Sequence, residues 1–466
     1  MSSATTFRTL SPIDGQLVVE RARASDAELE HALELGVEAH RQWRQVPVAE
    51  RCERLDRVVD AVVADRPRLA EELTLQMGRP ARFAPMEIGG FEERARTMLR
   101  LAPGALAEIV PPPKEGFSRS IRRESLGLLF VIAPWNYPWL TAVNAVIPAL
   151  AAGNAVLLKH SEQTPLVAER FVEAAANAGL PRGLFQYLHL SHPSAAQVVG
   201  DRRVAKVAFT GSVAGGHAIV AAAEKRFMGL GLELGGKDPA YVRPDAPIVG
   251  AAAAIVDGAF FNSGQSCCAI ERVYVAREVF DTFVDAFVAE VERYVVGDPR
   301  DPATTLGPLV RARNAHEVQA QVEQAIARGA RSLIDPGRFG ALEPPYLAPQ
   351  VLVDVDHSMA LMSEETFGPA IGLMPVDSDD EAILKMNDSR YGLTASLWTE
   401  DLDCALRLAD RIETGTVFMN RCDYLDPELA WVGVKDSGRG CTLSPVGFEE
   451  LTRPKSLHLR HRVPPA

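Results

Sequence analysis

The chain has 466 residues, 47% of them hydrophobic and 24% charged. That composition excludes a mostly disordered, collagen-like or coiled-coil chain, and the length points to two or three domains. Acidic residues outnumber basic ones by 61 to 49 for a formal net charge of -12, so the basic surplus of a nucleic-acid binder is missing.

Six cysteines without a C-x-x-C pair give no sign of a disulfide framework or a structural zinc site, fit a reducing cytoplasm and call for no metal. The first fourteen residues carry one arginine and no apolar segment, so no signal peptide is expected. Apolar residues at helical spacing over 26–44, 50–65 and 87–101 predict a largely helical start. The run 125–158 has no charge and resembles a membrane span in hydropathy, but it holds Pro134, Pro138, Pro148, Asn136, Asn144 and Asn154. Prolines and amides at that density are costly in lipid, so the run is read as buried core and no membrane partner is expected.

Within and after that run, strands are predicted at 128–133, 155–158, 185–190 and 204–209, alternating with helices at 141–152, 165–178 and 216–226. A second alternation follows, with helices at 251–261, 279–296, 315–327, 380–387 and 402–411 and strands at 272–275, 371–375, 394–398 and 416–420. Both halves read as α/β units around parallel sheets, which bind ligands at the carboxyl ends of their strands. A last strand at 455–462 has no partner nearby in sequence and suggests pairing with another subunit.

Residues 231–237, GLELGGK, have the glycine and lysine spacing of a phosphate loop, but Asp238 stands where a magnesium-binding Ser or Thr is required. There is no G-x-S-x-G elbow and no G-x-G-x-x-G opening a helix. What remains is a thiol, Cys267, directly after the polar turn Asn262-Ser-Gly-Gln-Ser266, and an amide, Asn136, between Pro134 and Pro138 at the end of a buried strand. Backbone amides of such a turn can point at a reacting oxygen; a small core cysteine and a turn-forming asparagine are the plainer alternatives.

With those residues go PWNYP at 134–138, KHSE at 159–162, FTGS at 209–212, ELGGKDP at 233–239, FFNSGQSC at 260–267, EETFGP at 364–369, YGLTA at 391–395 and VGVKDSGRG at 432–440. Eight segments in one order resemble the aldehyde dehydrogenase superfamily from about residue 26 to residue 459. The resemblance implies a Rossmann-like parallel-sheet cofactor domain (1–101 and 126–235), an α/β catalytic domain (236–445) and a small β bridging arm (102–125 and 446–466), assembled as a homodimer or homotetramer. It implies Cys267 as nucleophile, Asn136 with the backbone N–H of Cys267 as oxyanion donors, and Glu233 as the base that activates water. Trp135, Lys159, Glu162, Gly211, Ser212, Leu234, Glu365 and Phe367 fall on cofactor-binding positions. NAD is expected, with NADP as the alternative, because Glu162 would accept from a ribose hydroxyl and repel a 2′-phosphate.

Tyr137, Leu140, Thr141, Asn144, Phe261, Ser266, Cys268 and Trp431 fall on the substrate funnel, with Arg421 and Asp423 at its mouth. Members that oxidise succinate semialdehyde carry arginines where this chain has Asn144 and Phe261, and the wall a quaternary ammonium needs beside Tyr137, Phe261 and Trp431 is also Asn144. Neutral aliphatic or aromatic aldehydes are therefore expected. The chain departs from the family pattern at Ala145, at Gln186–His192 and at Val432-Gly433. Two alternatives stand beside an aldehyde-oxidising enzyme: coenzyme A in place of water as acyl acceptor, against which Glu233 speaks, and a catalytically silent relative.

Overall fold

The uncharged run supplies the middle of the first sheet. In the computed structural model, which describes residues 6–462, the strands Leu128–Ala133 and Ala155–His160 are buried along their whole length. Continuously apolar strands suit a parallel sheet covered on both faces, and these two pair in parallel with Leu128 opposite Ala155. The full order is Gly438–Arg439, Gly229–Glu233, Val204–Thr210, Leu128–Ala133, Ala155–His160, Phe185–Tyr187. Only Gly438–Arg439, at the edge, is antiparallel to its neighbour.

Helix Pro138–Ala151 covers one face and buries every residue except Leu140 and Thr141. It begins three residues earlier than the predicted 141, because Pro138 at its first turn has the fixed φ that a helix start accepts. Helix Ala84–Ala105 packs against it and contributes Ile88, Phe91, Ala95 and Met98 to the same core.

The second sheet runs Arg331–Ser332, Gln350–Val353, Ala370–Val376, Ile270–Ala276, Asp238–Val242, Thr394–Trp398, Thr416–Met419, parallel apart from its two-residue first strand. Two α/β units in tandem are therefore present. Sequence periodicity missed helices Arg66–Met77 and His192–Gly200, strands Gly229–Glu233 and Asp238–Val242, and the hairpin of Thr6–Leu10 with Leu17–Ala22. GLGLE and DPAYV are poor strand formers by composition; pairing with Val204–Thr210 in one case and Ile270–Ala276 in the other makes them strands.

Two expectations change. The predicted orphan strand is Thr452–Arg460, and it is no orphan: it pairs antiparallel with Phe117–Ser125 of the same chain, from Thr452 opposite Ser125 to Arg460 opposite Phe117. Trp431, Leu443, Phe448 and Leu451 pack into the core of the first sheet, so the segment that was to divide between catalytic domain and arm at 445 joins the first unit instead. Residues 1–5 and 463–466, assigned from sequence to the cofactor domain and the arm, lie outside the described residues. No described helix is long and apolar enough to cross a membrane.

Candidate active site

A cavity of about 1110 Å³ opens between the two units. Pro134–Tyr137, Thr210–Ser212 and Glu233–Gly235, each at or just past the carboxyl end of a strand of the first sheet, form one wall, the position a parallel sheet offers to ligands. Residues 364–367 and 420–425, beside strands of the second sheet, form another. Into this one space come Cys267, Glu233 and Asn136; Trp135, Gly211, Ser212, Leu234, Glu365 and Phe367; and all eight expected funnel residues, Tyr137, Leu140, Thr141, Asn144, Phe261, Ser266, Cys268 and Trp431. Arg421 and Asp423 line it too. Lys159 and Glu162 do not.

Cys267 is presented by a left-handed turn. Asn262, Ser263 and Gly264 have φ of 55°, 57° and 71°, a conformation that costs the two non-glycine residues of order 1–3 kcal/mol each. The surroundings hold it: Asn262 Nδ2 donates to Asn136 O at 3.2 Å, Ser263 Oγ donates to Gly307 O at 2.8 Å, and Gln265 Oε1 accepts from Val310 N at 2.8 Å. A Cβ on Gly264 would lie 2.4 Å from Gly368 O, so no other residue fits there. Asn136 is buried, and its Nδ2 donates to Gln265 O at 3.3 Å, two residues before the thiol.

Glu233 ends its strand facing the same cavity. Its Oε1 accepts from Thr442 Oγ1 at 2.6 Å and its Oε2 from Thr210 Oγ1 at 3.0 Å. Burial raises its pKa, against the opposing pull of those hydroxyls, which moves it toward the range of a useful general base. Cys268, next to the candidate nucleophile, donates to Asp423 Oδ1 at 3.0 Å, and its thiol is pushed well up by the Cys267 contact and by burial. Its thiolate is thereby disfavoured.

The far end of the cavity fits a dinucleotide by its donors and acceptors. Ser212 caps the ten-residue helix Val213–Ala222 and leaves its first amides facing outward beside Gly211, an anion-favouring arrangement. Lys159, outside the lining of this cavity, is buried, and among the described residues its Nζ donates only to His160 O at 3.4 Å, so its remaining protons suit a ribose hydroxyl. Glu365 accepts from Gly236 N at 3.1 Å and is otherwise short of donors; burial, with Glu271 nearby, pushes it to about 8. Phe367 meets Trp135 edge-on, ring centres 5.7 Å apart. Lys237 of the apparent phosphate loop contacts no such ligand site: its Nζ pairs with Glu271 at 2.7 Å, and Glu271 accepts the amides of Thr366 and Phe367 at 2.8 Å each, so it anchors the loop that carries Glu365 and Phe367.

Glu162 departs from expectation in one respect. Its two oxygens accept a fork from Arg23, Nε at 2.8 Å and Nη2 at 3.0 Å. The bare carboxylate assumed from sequence is a neutralised one.

Three residues that sequence reasoning did not single out belong to the site. Arg79 forms a buried ion pair with Glu87, donates through Nε to Asn262 Oδ1 at 3.2 Å and through Nη2 to Asn136 O at 2.8 Å. Glu87 in turn accepts Trp139 N at 2.8 Å, at the start of helix Pro138–Ala151. The pair thus ties together the segments carrying Asn136 and Cys267. The third is Arg94, on helix Ala84–Ala105, which lines the cavity behind Asn144 and donates to its Oδ1 at 3.3 Å. The premise that no cation backs the funnel at Asn144 fails here, because the charge comes from another helix. Arg94 lies in a segment whose helical periodicity explains an arginine as a surface residue, and Arg79 lies in the connection between helices Arg66–Met77 and Ala84–Ala105, which carries no signal of its own; only packing reveals the two as buried.

Fold and site together define a two-unit α/β enzyme with a thiol, a buried carboxyl and a dinucleotide-sized cleft. The aldehyde dehydrogenase family model matches residues 1–457. An NADP(+) succinate-semialdehyde dehydrogenase of Mycobacterium avium is 34% identical over 458 residues, 96% of each chain. One of Mycobacterium tuberculosis strain H37Rv is 35% identical, covering 96% of this chain and 98% of its own. The crystal structure of an NAD-dependent aldehyde dehydrogenase from Sinorhizobium meliloti superposes with a TM-score of 0.94 at 31% identity, over 100% of this chain and 93% of that one. The chain belongs to the aldehyde dehydrogenase family, and it oxidises aldehydes to carboxylic acids with NAD(P) as acceptor.

Proposed function

We propose that Cys267, Asn136 and Glu233 carry the reaction. The supporting observation is their convergence on one cavity although their elements are far apart in sequence. The Cys267 thiolate attacks the aldehyde carbon and forms the C–S bond of a thiohemiacetal. The oxygen that becomes negative meets the Asn136 side-chain amide and the backbone N–H of Cys267. Trp135 and Phe367 would hold the nicotinamide, and the oxidised cofactor would supply the hydride acceptor that turns the adduct into a thioester on the Cys267 sulfur. Glu233 then takes a proton from water as the water oxygen bonds to the thioester carbon, the Cys267 sulfur departs, and the acid is released. Thr442 and Thr210 hold the carboxyl at the cavity wall until a water replaces one of them.

Glu233→Gln tests this sequence of roles. The variant should release one equivalent of reduced cofactor per active site rapidly and then turn over at least about 10²-fold more slowly than the parent, since base removal spares acylation. Stopped-flow absorbance at the reduced-cofactor band reads both phases. A variant slow from the first turnover, or a wild type that needs coenzyme A for steady turnover, would overturn the assignment.

We further propose that NADP is accepted as well as NAD, in line with the NADP(+) in the names of the two mycobacterial relatives. The fork from Arg23 offsets the charge of Glu162, and Arg311 lies close enough to feel that charge, so a 2′-phosphate would meet cations as well as a carboxylate. Calorimetric titration should find the two cofactors within about tenfold in affinity, and Arg23→Gln should weaken NADP tenfold or more while NAD changes little. NADP binding 100-fold weaker than NAD in the wild type would restore the original expectation from Glu162.

We propose the first sheet as cofactor domain, the second as catalytic domain, and the ribbon of Phe117–Ser125 and Thr452–Arg460 as the arm of a cytoplasmic homo-oligomer. A lone two-stranded ribbon is marginal in water, which supports a second copy along its remaining edge.

A further inference from the structure

Arg94 is an uncommon kind of residue for the wall of a catalytic cavity. It is only 9% exposed, and an arginine at that depth is normally closed by an acid. Arg79, on the wall of the same cavity, is closed in that way by Glu87. Arg94 forms no ion pair among the described residues; its hydrogen bonds are from Nη1 to Leu140 O at 3.2 Å and to Asn144 Oδ1 at 3.3 Å. The acids nearby are otherwise engaged. Asp423 accepts from Ser266 at 3.2 Å and from Cys268 at 3.0 Å, and Glu93 accepts from Tyr424 at 2.9 Å. Burial, opposed by Cys268 and Ser266, pushes Asp423 up to about 7, so it stays partly uncharged at neutral pH.

The groups around Arg94 extend the donor set. Asn144 is 3% exposed and uses its oxygen on Arg94, which leaves its Nδ2 protons to the cavity side. Tyr137, Thr141 and Asn144 follow one another at helical spacing along the start of the same helix. A buried guanidinium short of one counter-charge, beside a free amide, is complementary to a planar anion, which accepts two parallel N–H bonds. Because Arg94 lines the same cavity as Cys267 and Glu233, the anion it would hold shares that space with the reacting carbon.

We propose that Arg94 and Asn144 form an anion subsite that selects short aldehydes bearing a carboxylate. This rests on the reading of Cys267 as nucleophile, since that fixes which end of the substrate is the aldehyde. It also reverses the expectation of neutral substrates drawn from positions 144 and 261.

The experiment compares succinate semialdehyde with pentanal, its uncharged analogue of similar length, on the wild type, Arg94→Met and Arg94→Lys. Wild type should favour the carboxylate substrate by tenfold or more in kcat/KM. Arg94→Met should lose about 100-fold on it, mainly through KM, and with that lose the preference over pentanal; Arg94→Lys should recover part of the loss. Succinate binding to the wild-type protein, measured by calorimetry beside succinamide, reads the subsite without turnover and without a variant that has to fold. Equal binding of the two, or a methionine variant that keeps its preference for succinate semialdehyde, overturns the proposal. Failure of the wild type to oxidise either aldehyde while succinate still binds in preference to succinamide would count against the Cys267 reading and leave the anion subsite standing.

Discussion

Cys267→Ala should abolish aldehyde oxidation, with a fall in kcat of about 10⁴-fold or more, the scale seen when a covalent nucleophile is deleted. The side chain is small and partly open to the cavity, so fold and cofactor binding should survive; far-UV circular dichroism and calorimetric titration with NAD(P) check both. Cys268→Ala is the paired control. Its thiol is held by Asp423 and raised well above the ordinary range, so its removal should leave most turnover intact. Loss of activity in the Cys268 variant together with retention in the Cys267 variant would mean that the wrong sulfur has been chosen.

The second large effect is expected at the buried pair Arg79–Glu87. Both side chains are almost fully enclosed, at 2% and 0% exposure, and deleting one partner strands the other charge at a cost of about 3–5 kcal/mol. Glu87→Ala also removes the acceptor of Trp139 N. Its urea unfolding midpoint should fall clearly, and kcat should fall with it. The double variant Arg79→Met/Glu87→Leu separates the two consequences. Replacing both charges by apolar groups should restore much of the stability, yet kcat should remain low by about 10²-fold or more, the scale of one lost oxyanion donor, because Asn136 and Asn262 no longer have the guanidinium that holds them. Recovery of full turnover in the double variant would reduce the pair to a purely structural element.

Much of this was legible in the chain itself. Leu128–Ala133 is read as a buried strand with its observed bounds, since six consecutive apolar residues admit little else before a Pro-Trp-Asn-Tyr-Pro turn. The thiol and the amide were nameable because each sits in a segment whose composition suits neither core nor solvent, and the carboxyl through the family resemblance of the segment ELGGKDP. All three line the same cavity. The short strand Gly229–Glu233, by contrast, has no local signal: its glycines are strand-poor, and it exists through its ladder to Val204–Thr210.

Sequence by itself determined the class of fold and the family and singled out candidates for the reacting groups, because these rest on local patterning and on segments that carry their chemistry with them. Tertiary structure alone decided what surrounds those groups. It put Arg23 on Glu162, Arg79 on Asn136, Arg94 behind Asn144, and Thr452–Arg460 on Phe117–Ser125. Each of these is a contact between residues distant in the chain, and neither periodicity nor motif spacing encodes which buried charge meets which. An arginine on an amphipathic helix looks the same whether its face meets water or an active site; the packing of the neighbouring helix makes the difference.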